Sequence, residues 1–202
     1  MAYGDVTKIV SGYGKFYINT TQTTSAPVTD GAIDDLDATT GSGTSWIEIG
    51  YTQEGISEAV ETENYEVEVD QEDGPVESVI SKQTALIKTV LAETDLQNLA
   101  KCIPGAAYTA GTSSTAGTSA NQMGIGGGTQ GFISLAVVSD APEDSLDRLD
   151  FYPKCKPSGS LAETFKRGES HQVPVEFMAY SDNDMAAGSR LRVSHEETTV
   201  YA

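Results

Sequence analysis

Two long stretches of strand-forming residues, joined by one turn, limit the fold of this chain more than any other feature. The stretch ISEAVETENYEVEVD (56–70) is followed by EDGP (72–75), a strong turn signal, and then by VESVISKQTALIKTVL (76–91). From Tyr65 to Asp70 apolar and acidic residues alternate strictly, which is the period of a β-strand. We therefore predict two long, adjacent strand regions and a mainly β protein.

Shorter strand patterns occupy most of the remaining chain. They cover residues 13–18, 46–51, 132–139, 146–156, 160–167, 171–181 and 190–194. Pro174 stands in the middle of the pattern at 171–181 and favours an edge position, because proline cannot donate a hydrogen bond to a neighbouring strand. The strands do not alternate with helices, so a β-sandwich or barrel is predicted rather than an α/β fold.

One amphipathic helix is predicted over about residues 94–103. Thr94 and Gln97 have the spacing of a capping box, and the helix should stop at Pro104 and Gly105. Its apolar stripe is formed by Leu96, Leu99, Ala100 and Ile103. A single helix of this kind is expected to cover an open face or end of the sheet.

The length of 202 residues predicts a single domain, 1–202, with two long polar segments. Residues 19–45 show no sustained period and are expected to be disordered or ordered by a partner. Residues 106–131 are rich in Gly, Ser, Thr and Ala and predict a flexible loop. That loop holds a GxGxxG pattern at 126–131, but a strand rather than a helix follows it, which argues against a nucleotide site.

The charge is distributed unevenly along the chain. Residues 1–81 hold 16 acidic and 2 basic residues, a net charge of −14, whereas residues 82–202 hold 14 and 10, a net charge of −4. Binding of nucleic acid through its phosphates requires clustered Lys and Arg, so this distribution argues against it. It argues equally against an anionic membrane surface, and no apolar run approaches the length of a membrane span.

Motifs for catalysis are absent from the sequence, and we predict that the protein is not an enzyme and has no cofactor. The stretch DGAIDDLD (30–37) is rich in carboxylates but lacks the order of an EF-hand loop, so a solvated acidic loop is favoured over a calcium site. Cys102 and Cys155 match no metal-ligand spacing and are expected to be unpaired residues. The N-terminus has no signal-peptide pattern, so synthesis in a cytoplasm is expected.

The order of these patterns resembles the major tail (tail tube) proteins of long-tailed bacteriophages. The resemblance lies in WIEIGYTQEGISEAVETENYEVEVDQEDGPVESVIS (46–81), LAETDLQNLAKCIPG (91–105) and YPKCKPSGSLAETFKRGESHQVPVEFMAYSD (152–182), and covers roughly residues 30–181. The segment 106–131 has no counterpart in that layout.

The resemblance implies a specific assembly. Such proteins have a β-sandwich or barrel with a flanking helix and form hexameric rings, in which long strands close an inner barrel between subunits. The rings stack into a hollow, acidic-lined virion tube that delivers the genome, and the expected partners are other copies and the terminator, tape measure and distal tail proteins. DNA passes through without specific binding, and synthesis takes place in the host cytoplasm.

Two sets of residues are predicted to serve this assembly. A carboxylate lining repels phosphate over about a Debye length, ~8 Å at physiological salt, so the genome can slide. The predicted lumen-lining residues, with Tyr65, Val67 and Val69 packed inward, are Glu66, Glu68 and Asp70, together with Glu61 and Glu63. The predicted contacts between rings join the acidic segment to a basic cluster and involve Asp30, Asp34, Asp35, Asp37, Lys154, Lys156, Lys166 and Arg167.

Other classes of protein remain open from the residues alone. An extracellular or salt-adapted acidic β-sandwich that binds calcium or carbohydrate would have a similar composition. A hydrolase that uses two carboxylates would also fit, because 30 acidic residues form pairs by chance.

Overall fold

The computed structural model describes residues 14–30, 32–37, 45–68, 73–92, 95–111, 120–127, 130–141, 146–159, 162 and 172–198. In this part of the chain the first six strands are β1 (Lys15–Asn19), β2 (Val28–Thr29), β3 (Ala32–Ile33), β4 (Trp46–Glu48), β5 (Thr52–Glu68) and β6 (Pro75–Leu91). Helix α1 (Leu96–Cys102) follows, and then β7 (Ala106–Thr109), β8 (Gln122–Ile125), β9 (Ile133–Asp140), β10 (Asp147–Pro157), β11 (Val173–Ala179) and β12 (Val193–Glu196).

The main sheet is antiparallel and has the strand order β4-β1-β9-β10-β11-β6-β5. One edge of strand β10 pairs with two different strands. Its first half, Arg148–Phe151, pairs with β12, and its last residues, Cys155–Pro157, pair with β11. With two small sheets, β2-β3 and β7-β8, and one helix, the protein has the mainly β fold that the sequence predicted.

The main core lies on one face of this sheet and is closed by α1. Phe16 of β1 meets Phe177 of β11 edge to face with ring centroids 5.4 Å apart, and Ile87, Leu91 and Leu99 fill the space beside them. Ile56 of β5 packs against this core and also reaches Gly14, just before β1. Because β5 and β1 lie near opposite ends of the strand order, the sheet is rolled around the core. A Cβ atom at Gly14 would lie 3.1 Å from Ile56 Cδ1, so a larger residue there would require Ile56 to shift by a few tenths of an ångström.

A second core covers the opposite face of β1, β9 and β10. Trp46 and Phe151 meet edge to face at 6.1 Å, and Tyr17, Leu36 and Leu149 complete the cluster. Leu36 belongs to the acidic segment, so this segment packs on the body of its own chain. Each large apolar side chain buried in this way contributes about 1.5–3 kcal/mol to folding.

Several local expectations were wrong. The described parts of 19–45 form hydrogen bonds to the body of their own chain: Gln22 donates to Asp182 at 2.7 Å and the Thr23 N–H donates to Ser134 Oγ at 2.8 Å. The ends of the expected flexible loop 106–131 instead form the β7-β8 hairpin, which contacts α1. Helix α1 has Asp95 as its N-cap, without a side-chain capping bond, in place of the predicted Thr94 cap, which lies outside the described residues.

The position of Pro174 also differs from the prediction. Strand β11 lies between β10 and β6 rather than at an edge. However, β10 pairs only with Phe177–Ala179, and at Pro174 the described residues provide β6 as the one neighbouring strand. Proline is therefore tolerated because the strand is locally an edge at that residue. The predicted strand at 160–167 lies outside the described residues except for residue 162.

Candidate assembly surfaces

Half of the long hairpin has no cover from the part of its own chain that the structure describes. We call residues 61–68 of β5 and 75–84 of β6 the distal ribbon. Pairing of β6 with β11 runs only from Ala85 to Leu91, so the distal ribbon extends beyond the rest of the sheet. All of its residues are exposed except Val67 and Thr84, which are partly buried. Even Tyr65 and Ile80 are 65% and 57% exposed.

The strand register assigns the ribbon's side chains to two faces. Residues directly opposite each other in an antiparallel pair share a face. Ile56 and Thr89 are paired at the base of the hairpin, where Thr89 is buried, and continuing the alternation along β5 leads to Glu66 and Glu68. We call this the core-side face. The other face, which we call the outer face, holds Glu61, Glu63, Tyr65 and Val67 on β5, with Thr84, Lys82, Val79 and Glu77 opposite them.

The predicted lumen residues are therefore divided between two faces. Glu66 and Glu68 lie on the core-side face, and Glu61 and Glu63 lie on the outer face, where Glu63 is 3.7 Å from Lys82. Asp70 and Val69 lie outside the described residues. The strand alternation thus keeps Glu66 and Glu68 apart from Tyr65 and Val67, as the sequence indicated, but it places Glu61 and Glu63 with the apolar pair.

A charged junction fixes β5 to the body where the ribbon begins. The Arg192 guanidinium lies 2.6 Å from Asp150 Oδ1 and 3.3 Å from Glu58 Oε2. The Tyr152 hydroxyl donates to the same Glu58 oxygen at 2.8 Å, and the Ser194 hydroxyl donates to Asp150. These contacts link β5, β10 and the chain around β12, so they hold the hairpin against the body immediately before it becomes exposed.

The junction compensates its two carboxylates unequally. Burial raises the pKa of Glu58, and the hydrogen bond from Tyr152 only partly opposes this rise. Burial is the largest single influence on the pKa of Arg192 and acts to lower it, but the hydrogen bond to Asp150 and the nearby Tyr152, Glu58 and Asp150 together outweigh burial, so the net change is a rise. Arg192 lies nearer to Asp150 than to Glu58, and burial raises the pKa of Glu58, so Glu58 is the less favourably placed anion.

Sequence reasoning did not find this junction. One signal was present: Glu58 stands between Ile56 and Val60 on the apolar parity of β5. A carboxylate at a core-facing position requires a partner, because burying an unpaired charge costs several kcal/mol or more, on the order of a whole domain's net stability. The identity of that partner was hidden, since Arg192 follows Glu58 by more than half of the chain.

Three of the four predicted acidic contact residues, Asp34, Asp35 and Asp37, lie together at one end of the sheet. Lys15 Nζ lies 2.6 Å from Asp37 Oδ2, and the Tyr17 hydroxyl donates to Asp37 Oδ1 at 3.0 Å. The hydrogen bond from Lys15 is the main reason that the pKa of Asp37 is lowered. A cleft of about 270 Å³ beside them is lined by carboxylates from three parts of the chain, namely Asp34, Asp35, Asp37, Asp140 and Asp147. Asp30 occupies the β2-β3 turn with a positive φ of 52°.

The predicted basic contact residues lie elsewhere. Lys154 and Lys156 place their ammonium groups 4.7 Å and 4.2 Å from the ring centroid of Phe132, and this ring also meets Tyr180 edge to face at 5.6 Å. Cation–π contacts of this kind hold the two charges close together at the surface. The other two members of the predicted cluster, Lys166 and Arg167, lie outside the described residues.

Among the described residues, the acidic and basic sets do not come together within one chain. Asp147 begins β10, whereas Lys154 and Lys156 stand near its end. Seven residues separate Asp147 from Lys154, which corresponds to roughly 23 Å along a strand that rises about 3.3 Å per residue. We call these two regions the acidic end and the basic end.

Candidates for other chemistry are few in the described part of the chain. Its His, Cys, Asp and Glu side chains form no group of three or more with a geometry for a metal ion. Cys102 and Cys155 are buried and form no disulfide, and burial raises the pKa of the Cys102 thiol to about 12. None of the helical residues described forms a helix long and apolar enough to cross a membrane.

The fold and these surfaces define a mainly β structural protein with an exposed hairpin. A family model described as "Phage tail tube protein" matches residues 1–191. The chain therefore belongs to the phage tail tube protein family and is a virion tail component. A comparison with curated individual proteins gave no match.

Proposed function

We propose that this chain is the repeating subunit of a hollow tail tube, in which hexameric rings stack to form the conduit that delivers the genome. The distal ribbon is the observation that carries this proposal. A pair of strands exposed on both faces is only marginally stable in water and exposes free backbone groups along its edges. Pairing with other copies would satisfy those groups and cover one face.

The two free edges of the distal ribbon suit a ring. Within the described residues, β6 lacks a second strand neighbour along 75–84, and β5 lacks one along 61–68. These edges lie on opposite sides of the hairpin, so the contact between copies is head to tail, which closes into a ring when the rotation allows it. Copies related by rotation would place β5 of one subunit antiparallel to β6 of the next.

A cleft along the β6 edge provides space for that neighbour. It has a volume of about 540 Å³ and separates Ile80–Gln83 from a segment that contributes Ser181, Gly188, Arg190 and Leu191. A strand of a second copy that entered there would find the unpaired backbone of β6 on one side. We therefore place the main contact within a ring at this cleft.

The charge of the protein supports a conduit that DNA does not adhere to. The chain has a net charge of −18, and residues 1–81 contribute −14 to it. DNA adheres to proteins by exchanging its counterions for Lys and Arg, and a wall poor in these residues offers no such exchange. The exposed carboxylates of the hairpin thus repel the genome at short range and leave it free to slide.

The acidic and basic ends support stacking of one ring on the next. They lie too far apart to neutralise each other within a chain, but they can meet when subunits stack head to tail. Complementary charges across an interface contribute more to the correct register and choice of partner than to affinity. We propose that Asp30, Asp34 and Asp35 of one ring meet Lys154 and Lys156 of the next. Asp37 is left out because it already forms an ion pair with Lys15 of its own chain. Terminator, tape measure and distal tail proteins are the proposed further partners in the virion.

Negative-stain electron microscopy of concentrated protein tests this proposal. We expect hollow tubes with six-fold rings from the natural chain. The double variant Lys154→Glu, Lys156→Glu should give rings that stack poorly, because like charges then face each other. A chain that stays monomeric at high concentration would contradict the proposed function.

The matched control for the single variant Lys156→Glu is Lys88→Glu, which changes a residue of β6 that lies outside the distal ribbon and its cleft. It makes the same change in net charge on the long hairpin, away from both ends. Equal loss of stacking in these two single variants would show that overall charge, rather than the basic end, governs the contact between rings.

A further inference from the structure

We infer that the two faces of the distal ribbon have different partners in the assembled tube: the outer face lines the conduit, and the core-side face packs against the body of a second copy. This inference rests on the proposed function, since it assigns the faces of the same hairpin. It also changes the assignment of individual carboxylates, because Glu61 and Glu63 then line the conduit, whereas Glu66 and Glu68 lie between subunits.

The first argument is the position of the body. At the base of the hairpin the main core lies on the core-side face, where Ala85 and Ile87 are 1% and 0% exposed. The opposite face of the same strands holds exposed Lys88 and partly exposed Leu86. In a closed ring each copy's body must lie outside the conduit, because a body inside would block it. The open channel therefore runs along the outer face.

The second argument is the abrupt end of cover along the core-side face. Val60 is paired with fully buried Ala85, yet Val60 itself is 48% exposed. Farther along this face, Ile80 is 57% exposed beside Asn64. A face that is buried at its base and keeps apolar residues past the edge of its own body is suited to cover by another body. The cleft beside Ile80–Gln83 lies at this point and places the second copy next to it.

The two faces differ in chemistry in a way that fits these roles. On the outer face Glu63 and Lys82 are 3.7 Å apart, which leaves Glu61 and Glu77 as exposed carboxylates facing the conduit. Tyr65 and Val79 stand between them and offer no cation to a phosphate. On the core-side face Glu66 is paired with Ser78, so both bring polar groups to the subunit contact. There Glu66 and Glu68 require hydrogen-bond donors or cations from the second copy, since buried carboxylates need partners.

Cysteine accessibility in assembled tubes distinguishes the two faces. Glu63→Cys places a thiol on the outer face and Glu66→Cys places one on the core-side face, and each change removes one exposed carboxylate. The natural cysteines, Cys102 and Cys155, are 3% and 0% exposed and contribute little background. We expect both variants to react with a small maleimide as dispersed protein. In short tubes Glu63→Cys should keep its reactivity and Glu66→Cys should lose it.

A second core-side variant keeps the test decisive if Glu66→Cys fails to assemble. Ser78→Cys lies opposite Glu66 and changes only oxygen to sulfur, so it should assemble and should also be protected in tubes. Tubes in which the core-side thiols react while Glu63→Cys is protected would overturn the face assignment and leave the proposed function intact. Equal reactivity of both faces in tubes would also overturn it. Absence of tubes from the natural chain would instead contradict the proposed function.

Discussion

Strand β6 lies in two different environments, and the contrast between them shows where this fold is complete. From Ala85 to Leu91 the strand has neighbours on both sides, and alternate side chains are buried in the main core. From Pro75 to Gln83 the same strand is exposed at every residue, and among the described strands it pairs with β5 alone. The body is therefore stabilised within the chain, whereas the distal ribbon has the form of a strand pair whose stabilising contacts lie in other copies.

The largest effect should come from comparing one aromatic side chain in each region. Phe177 is fully buried against Phe16, so Phe177→Ala should lower the free energy of unfolding of the dispersed chain by about 3–5 kcal/mol. Tyr65 is 65% exposed, so Tyr65→Ala should change it by less than about 0.5 kcal/mol. Urea unfolding followed by circular dichroism measures both values.

The opposite pattern would break the comparison. If Tyr65→Ala destabilised the dispersed chain as strongly as Phe177→Ala, the ribbon would already be packed against the body in solution. A matched variant on the other ribbon strand, Val79→Ala, lies opposite Tyr65 and should be equally mild.

A smaller effect is expected at the junction between body and ribbon. The pKa of Glu58 is raised in the folded chain, so between its ordinary value and this raised value the folded state binds more protons than the unfolded state. Stability then falls as pH rises through that window, and ionised Glu58 opposes folding near neutral pH. Glu58→Gln, which can still accept from Tyr152, should raise the free energy of unfolding near neutral pH by less than about 1.5 kcal/mol. The gain should vanish below pH 4.5, the ordinary pKa of glutamate.

Thermal melts of both proteins across this pH range measure the difference. Asp150→Asn is the control, because Asp150 is the nearer partner of Arg192 and its neutralisation should destabilise the chain near neutral pH. A Glu58→Gln variant that was less stable than the natural chain near neutral pH would show that Glu58 and Arg192 form a net stabilising ion pair.

Local patterns in the sequence were sufficient for the elements but not for their neighbours. The strand alternation at Tyr65–Asp70 and the turn at 72–75 led to the long hairpin, and the apolar spacing led to α1, with Leu99, Ala100 and Ile103 buried. Strand order depends on contacts between residues far apart in the sequence. The two strands that share one edge of β10, and the interior position of β11, therefore could not be predicted from any local pattern.

The candidate surfaces show the same limit. Composition and charge located the acidic stretch. They did not show that Glu63 and Glu66 lie on opposite faces of the hairpin, or that Asp37 already pairs with Lys15. The alternation of side chains along a strand determines which of them share a face. Which face is covered depends on the position of the body, and the local sequence does not show this. The acidic and basic ends were proposed from charge alone, and the length of β10 explains why they do not meet in one chain.

Amide hydrogen exchange, compared between dispersed protein and assembled tubes, tests the central claim most directly. The claim is that the body is complete in one chain and that the distal ribbon is completed by other copies. Amides of 75–84 on the free edge of β6 should exchange rapidly in the dispersed chain and become protected in tubes, while amides of β9 and β10 remain protected in both. Equal protection of 75–84 before and after assembly would contradict the account.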